Sequence, residues 1–163
     1  MELDSEILHD FQSESEGLMD ELESIVDELE SAPSGGAFPE AKLKEFSQKI
    51  DRIMGAAKTL LGLAPGHAGI AFLASVSEMC KTMGYQAAAL KRAGLVPIFA
   101  GFWAETVEVM RAVLEKLGSS DGAKAVVQAH SVQLEKRLRW LAEKVAPDSE
   151  EERQKVIALL KQL

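Results

Sequence analysis

Residues 43–62 decide the fold class, and their sequence is LKEFSQKIDRIMGAAKTLLG. Apolar residues recur in this stretch at alternating steps of three and four, which is the period of one face of an α-helix. The apolar positions are Leu43, Phe46, Ile50, Ile53, Ala57 and Leu60. The stretch therefore predicts an amphipathic helix that buries this stripe against other helices.

The same period continues on both sides of this stretch. Four further stripes are each long enough for a helix, and they run over residues 11–29, 70–90, 99–117 and 127–145. A shorter pattern follows Asp148, which forms a predicted capping box with Glu151. Short breaks rich in Gly and Pro separate the stripes, and Gly94 is predicted to cap the third helix in the left-handed conformation.

These elements predict an all-α fold, because the β-branched residues follow helical spacing and do not alternate as in a strand. Breaks of two to eight residues are typical of antiparallel neighbours in a helical bundle. We therefore expect a single domain over residues 1–163, built as an up-and-down antiparallel bundle. A four-helix core would span residues 4–117, and one or two additional helices would lie within residues 121–163.

Composition excludes several classes of protein. Hydrophobic residues make up 47% of the chain, which is enough for a sizeable core. No uninterrupted apolar run reaches the length of about 18 residues that a membrane helix needs, so no membrane association is expected. Cys80 is the only cysteine, which excludes an internal disulfide framework and a cysteine-rich zinc site. The acidic N-terminus is unlike a secretory signal, and we expect a cytoplasmic protein.

The net charge of −8 is unevenly distributed along the chain. Residues 1–31 contain twelve acidic residues and no Lys or Arg, whereas residues 32–163 contain fourteen acidic and eighteen basic residues. Two interpretations are open: the acidic helix is attracted to the mildly basic remainder of the fold, or, as is more usual, its acidic residues form a solvated face. The asymmetry also makes nucleic acid an improbable partner for the first helix, because phosphate binding needs clustered cations.

The order and spacing of the helices resemble a histidine phosphotransfer domain, in the version at the N-terminus of chemotaxis-type histidine kinases. In that family the long first helix is acidic, the second carries the pattern His-Thr-Leu-Lys-Gly, and a Gly-Leu pair opens the third. The matching residues here are 58–62, with the sequence KTLLG, and the pair Gly69-Ile70. The resemblance covers about residues 4–145 and implies a two-component or chemotaxis-type signalling role. A response-regulator receiver domain or a histidine kinase would be the partner.

Two positions depart from the family pattern. Lys58 stands where the resemblance places the phosphoacceptor histidine, and Leu61 stands where it places a lysine that supports the phosphoryl group. A protonated amine has no free lone pair, so Lys58 is a poor phosphoryl acceptor at neutral pH. We therefore expect a degenerate, non-phosphorylatable module that binds its partner and is not an enzyme.

Five residues of the second helix form the candidate partner-binding face, namely Met54, Gly55, Lys58, Leu61 and Gly62. Their spacing places them on one side of the helix, beside the core stripe. Each interior glycine costs about 1 kcal/mol relative to alanine, so Gly55 and Gly62 need a reason. Two interpretations are open. The glycines keep the face flat for a partner's backbone, or they allow close packing against the third helix.

Other chemistry has little support in the sequence. The three histidines, His9, His67 and His130, are the candidates for a replacement phosphoacceptor, although each is more typical of an ordinary core-edge or surface histidine. No pair of histidines lies at i and i+4, and no carboxylate joins one at metal-ligand spacing, so neither a metal nor another cofactor is expected. Cys80 occupies a stripe position and is predicted to be a core residue.

Two alternative functions remain open beside the binding module. A helical phosphatase acting on a phosphorylated receiver would insert an amide or carboxylate side chain to position water. The candidate amides are Gln12, Gln48, Gln128 and Gln133. The other alternative is a structural or dimerisation domain of a larger signalling protein. Trp140 departs from the stripe of its own helix and is predicted to cover the last short helix or to face a partner.

Overall fold

A computed structural model describes residues 3–32, 35–144 and 154 of the chain. Five α-helices account for most of them, and none of these residues lies in a strand. The helices are α1 (Ser5–Glu30), α2 (Glu40–Leu63), α3 (Ala68–Leu90), α4 (Val96–Glu115) and α5 (Ser120–Lys144). The predicted all-α bundle is therefore confirmed. The short helix predicted after Asp148 lies outside the described residues.

The first four helices form a closed ring in which each helix packs against its neighbours. α1 contacts α2 and α4, α2 contacts α3, and α3 contacts α4, while α5 packs on the outside of α3 and α4. The start of α1 lies beside the α2–α3 and α4–α5 connections at one end of the bundle. The α1–α2 and α3–α4 connections meet in a second cleft. This arrangement is the up-and-down topology that the short breaks predict.

The core is built from the predicted stripes. Every apolar residue of the α2 stripe is buried, and the same holds for the stripe of α1 from Phe11 to Leu29. Trp103 of α4 is fully buried at the centre, where its ring stacks on Phe46 with the ring centroids 4.1 Å apart. Phe99 lies against the same ring at 5.3 Å. These aromatic contacts tie α2 to α4 across the bundle and keep the face of α2 in place.

The cap of α1 is a side-chain hydrogen bond, whereas the cap of α3 differs from the predicted one. Asp4 caps α1 by accepting the backbone N–H of Glu6, as expected of a short acidic side chain. The prediction that Gly94 is the left-handed cap of α3 is wrong. Lys91 takes that conformation, with φ 51° and ψ 35°, because α3 ends at Leu90, four residues before the glycine. Gly94 instead lies in a short 3-10 turn, Ala93–Leu95.

The acidic residues of α1 form an exposed face, and several of them also make ion pairs with the neighbouring helices. Toward α2, three α1 carboxylates contact basic side chains in the pairs Glu28–Lys42, Glu21–Lys49 and Glu14–Arg52. Toward α4, Arg111 contacts Asp20 and Glu23. These pairs lie along α1 from Glu14 to Glu28, and because they are largely exposed each contributes little to stability.

The stretch Ala93–Glu115 is long and apolar enough, by length and composition, to cross a membrane. Half of its most apolar window is buried inside the bundle, where it supplies Phe99 and Trp103 to the core. Core helices of soluble proteins pass the same test, so the stretch is accounted for by its packing role.

Candidate partner-binding face

The predicted face lies on the outer side of α2, next to the groove between α2 and α3. Gly55, Lys58 and Gly62 are exposed, whereas Met54 and Leu61 are half-buried at the edge of the core. All five residues lie in the second half of the helix, whose buried stripe packs against α3 and α1. The structure thus brings the five residues together on one surface, with small and apolar side chains around a single cation.

Gly55 and Gly62 have no packing role in the bundle. A Cβ atom added at either position would meet no other atom within 4 Å. The interpretation that these glycines allow close packing against α3 is therefore wrong. Two glycines of α3 do allow close packing, Gly69 against the start of α5 and Gly84 against α2. A Cβ at Gly69 would come within 2.7 Å of the Ala123 side chain, and one at Gly84 would collide with Ser47.

Lys58 is not a free cation. Its ammonium group donates to the Glu78 carboxylate of α3, with Nζ 3.0 Å from Oε1. The Lys58 side chain is 47% exposed and that of Glu78 is 30% exposed, so the pair lies at the surface. This ion pair could not be predicted, because nothing in the sequence relates position 58 to position 78. The helix pairing of α2 and α3 brings the two together.

A second ion pair of opposite polarity bridges the same two helices. Asp51 of α2 accepts from Lys81 of α3, with Oδ1 2.8 Å from Nζ. The hydrogen bond with Asp51 raises the pKa of Lys81, and burial opposes that shift only in part. Asp51 precedes Lys58 by seven residues, which corresponds to about 10 Å along a helix. The α2–α3 groove therefore carries two balanced pairs.

The histidines take no part in this face. His67 caps α3, where its Nδ1 accepts the backbone N–H of Ile70 at 3.3 Å. Its ring proton therefore lies on Nε2, which donates to the carbonyl of Leu117 at 3.0 Å. Both ring nitrogens are thus engaged, and neither is available to accept a phosphoryl group. His9 and His130 are exposed on α1 and α5.

A cleft adjoins the face at the end of α2, and the sequence analysis missed it. It has a volume of about 790 Å³. Gly62 forms part of its wall, together with Leu63, which is 47% exposed, and His67. The remaining walls come from the start of α1 and the α4–α5 connection. The only sequence signal at this place is the break at Ala64-Pro65-Gly66, which shows that α2 ends but not which segments gather there.

Several other candidates have structural explanations. Cys80 is buried in the core, as predicted, and burial raises the pKa of its thiol to about 12, so the unreactive thiol form prevails. Gln12 donates its side-chain amide to the carbonyl of Leu114 at 2.8 Å, which ties it to α4. Within the described part of the chain, no three His, Cys, Asp or Glu side chains gather as metal ligands would. These observations leave the α2 face as the principal candidate.

No family model, curated protein or solved structure matches this chain.

Proposed function

We propose that the protein is a degenerate phosphotransfer-like signalling module that binds a receiver domain or a histidine kinase without carrying phosphate. The face formed by Met54, Gly55, Lys58, Leu61 and Gly62 would be the contact surface. The open space over the two glycines is the observation that supports this proposal most directly. Gly55 weakens the interior of α2, Gly62 lies in its last turn, and neither serves a packing purpose, so both are better explained by a surface where another backbone approaches closely.

The composition of the face fits such a partner. The half-buried Met54 and Leu61 offer apolar surface beside the exposed backbone of the glycines, and Lys58 adds one positive charge. In the resembled family the phosphorylation pocket of a receiver is an acidic cluster. Lys58 would form ion pairs with that cluster where an active phosphotransfer domain would present its histidine. Binding without exchange of phosphate would sequester or inhibit the receiver.

Reversing the charge at position 58 tests this contact. In the variant Lys58→Glu, a carboxylate would face the acidic cluster of the partner, and like charges in a partly desolvated contact should weaken binding by about a hundredfold. Lys81→Glu is the matched control, because it reverses the cation of the second α2–α3 ion pair. Dissociation constants for a purified receiver domain, measured by calorimetry, should change little in the control. Equal losses in both variants would show that the effect is not specific to position 58.

Gly62→Leu tests the same surface without altering its charge. The added side chain has open space around its Cβ atom, so the fold should be kept, and helix propensity should add up to about 1 kcal/mol of stability. Binding should nevertheless weaken, because the leucine blocks close approach of the partner. Full binding by both folded variants, Lys58→Glu and Gly62→Leu, would move the interface elsewhere. The acidic α1 and the surface around Trp140 would then be the next candidates.

A transfer assay checks that the module does not carry phosphate. The chain is incubated with a receiver or an active histidine kinase that carries a labelled phosphoryl group. No labelled phosphate should be found on the chain afterwards. Acid-labile label on His9 or His130 would contradict the proposal. The same assay measures the dephosphorylation rate of the receiver, and acceleration by this chain would favour the phosphatase alternative.

A further inference from the structure

We propose that Glu78 competes with the partner for Lys58 and thereby restricts this surface to partners that present a cluster of carboxylates. The inference rests on the proposed function, since it concerns the same face. It goes further by assigning a residue of α3, outside the predicted face, a role in choosing the partner.

The competitor for Lys58 is a residue of the protein itself. Glu78 Oε1 lies 3.0 Å from Lys58 Nζ, which is a direct charge-assisted hydrogen bond. Glu78 extends from α3, a helix in which thirteen of 23 residues are buried, so the backbone beneath it is firmly held. The Glu78 side chain is less exposed than that of Lys58. A partner must therefore exchange one ion pair for another before it engages Lys58.

This exchange discriminates between partners by their charge. A single carboxylate on the partner would only replace the carboxylate of Glu78, so binding would gain almost nothing from Lys58. A cluster of two or more carboxylates creates a more negative potential at the ammonium group than Glu78 alone does. Lys58 can then donate to several acceptors at once, since its ammonium group has three N–H donors. Isolated acidic residues on unrelated proteins would be rejected.

Neutralising Glu78 should remove the competition. Glu78→Gln keeps the size of the side chain but removes its charge, so Lys58 loses its ion pair. The affinity for a receiver domain should then rise about three- to tenfold, as expected for losing one exposed ion pair and one repulsive charge. Asp51→Asn is the matched control, because it breaks the other ion pair of the same two helices. Its affinity should stay within about twofold of wild type.

Selectivity is tested with a receiver variant whose acidic cluster is reduced to one carboxylate. Toward this partner, the double change Lys58→Met/Glu78→Gln should not weaken binding relative to wild type, because it removes the ion pair without exposing the charge of Glu78. In the Glu78→Gln background, by contrast, Lys58→Met should weaken binding about threefold or more. A double change that weakens binding as much as Lys58→Met does in the Glu78→Gln background would overturn the inference, and so would Glu78→Gln leaving the affinity for the intact receiver unchanged.

A measurement without a partner separates this inference from the proposed function. Acetylation of individual lysines by a small amine-reactive ester, followed by mass spectrometry, should be faster at Lys58 in Glu78→Gln than in wild type. Asp51→Asn should accelerate the acetylation of Lys81 and leave the acetylation rate of Lys58 unchanged. No acceleration at Lys58 would show that the pair does not restrain it, and the inference fails while the proposed function stands. Normal acceleration together with no binding of any receiver would instead reject the proposed function, and the partner choice with it.

Discussion

Four glycines within α2 and α3 fall into two groups with opposite surroundings. Gly55 and Gly62 of α2 face open space, whereas Gly69 and Gly84 of α3 are pressed against neighbouring side chains. Sequence alone does not separate the groups, because the helix propensity of a glycine carries no information on which side chains lie beside it. Their different surroundings predict opposite responses to the same substitution.

Gly84→Ala should destabilise the protein, and Gly62→Ala should stabilise it. The new methyl group at position 84 collides with Ser47 Oγ, which cannot turn away without losing its hydrogen bond to the Lys81 carbonyl at 3.1 Å. Such overpacking costs about 1–3 kcal/mol and outweighs the gain in helix propensity. At position 62 only the gain of up to about 1 kcal/mol remains. Urea unfolding of the two variants measures both changes in the free energy of unfolding.

The double variant Ser47→Ala/Gly84→Ala checks the cause of this loss. Removing the Ser47 hydroxyl frees the space that the methyl group needs, so the double variant should recover part of the stability lost by Gly84→Ala alone. A loss that Ser47→Ala does not relieve would place the strain elsewhere, for example at the Leu43 carbonyl, 3.5 Å from the added Cβ atom.

At the scale of helices, the apolar periodicity of the sequence predicted which side of each helix is buried. The stripe of α2 is buried residue for residue, because a helix has one phase and the core accepts only its apolar side. The partners of individual charges could not be predicted in the same way. Lys58 and Glu78 are twenty residues apart, and their contact depends on the relative rotation of α2 and α3, which many different side chains fix together.

The ion pairs of α1 differ in their surroundings, and this predicts unequal contributions to stability. Arg111 is 27% exposed and contacts both Asp20 and Glu23, which raise the pKa of its guanidinium group against the effect of burial. Arg111→Gln should therefore cost about 1 kcal/mol, and the loss should shrink at 1 M salt. Arg52→Gln is the control, because the Arg52–Glu14 pair is more than 60% exposed on both sides and should contribute only a few tenths of a kcal/mol. Thermal unfolding at low and high salt compares the two.

Across the described residues, burial is highest in α3 and α4 and lowest in α5. Packing against α2 is most extensive along α3. Among the α5 residues whose burial is described, those in the core are Ala123, Leu134, Leu138 and Leu141, and the residues between them are half-buried or exposed. The candidate face therefore stands on the most firmly packed part of the bundle. A rigid face suits recognition, because little ordering entropy is lost when a partner binds.

The same gradient predicts two levels of hydrogen exchange. Amides in the middle of α3 should exchange only through global unfolding, whereas those of α5 near Val127 and Ser131 should exchange through local opening, at a free energy lower by about 2 kcal/mol or more. Leu138→Ala should lower the protection of α5 and leave α3 unchanged, because it removes a side chain that anchors α5. Leu73→Ala on α3 should lower protection everywhere, since its loss is felt in global unfolding. The contradicting result would be equal protection of α3 and α5 in the wild type and an equal decrease of both in Leu138→Ala. It would show that all five helices open as one unit and that α5 supports the α2–α3 pair as strongly as α1 does.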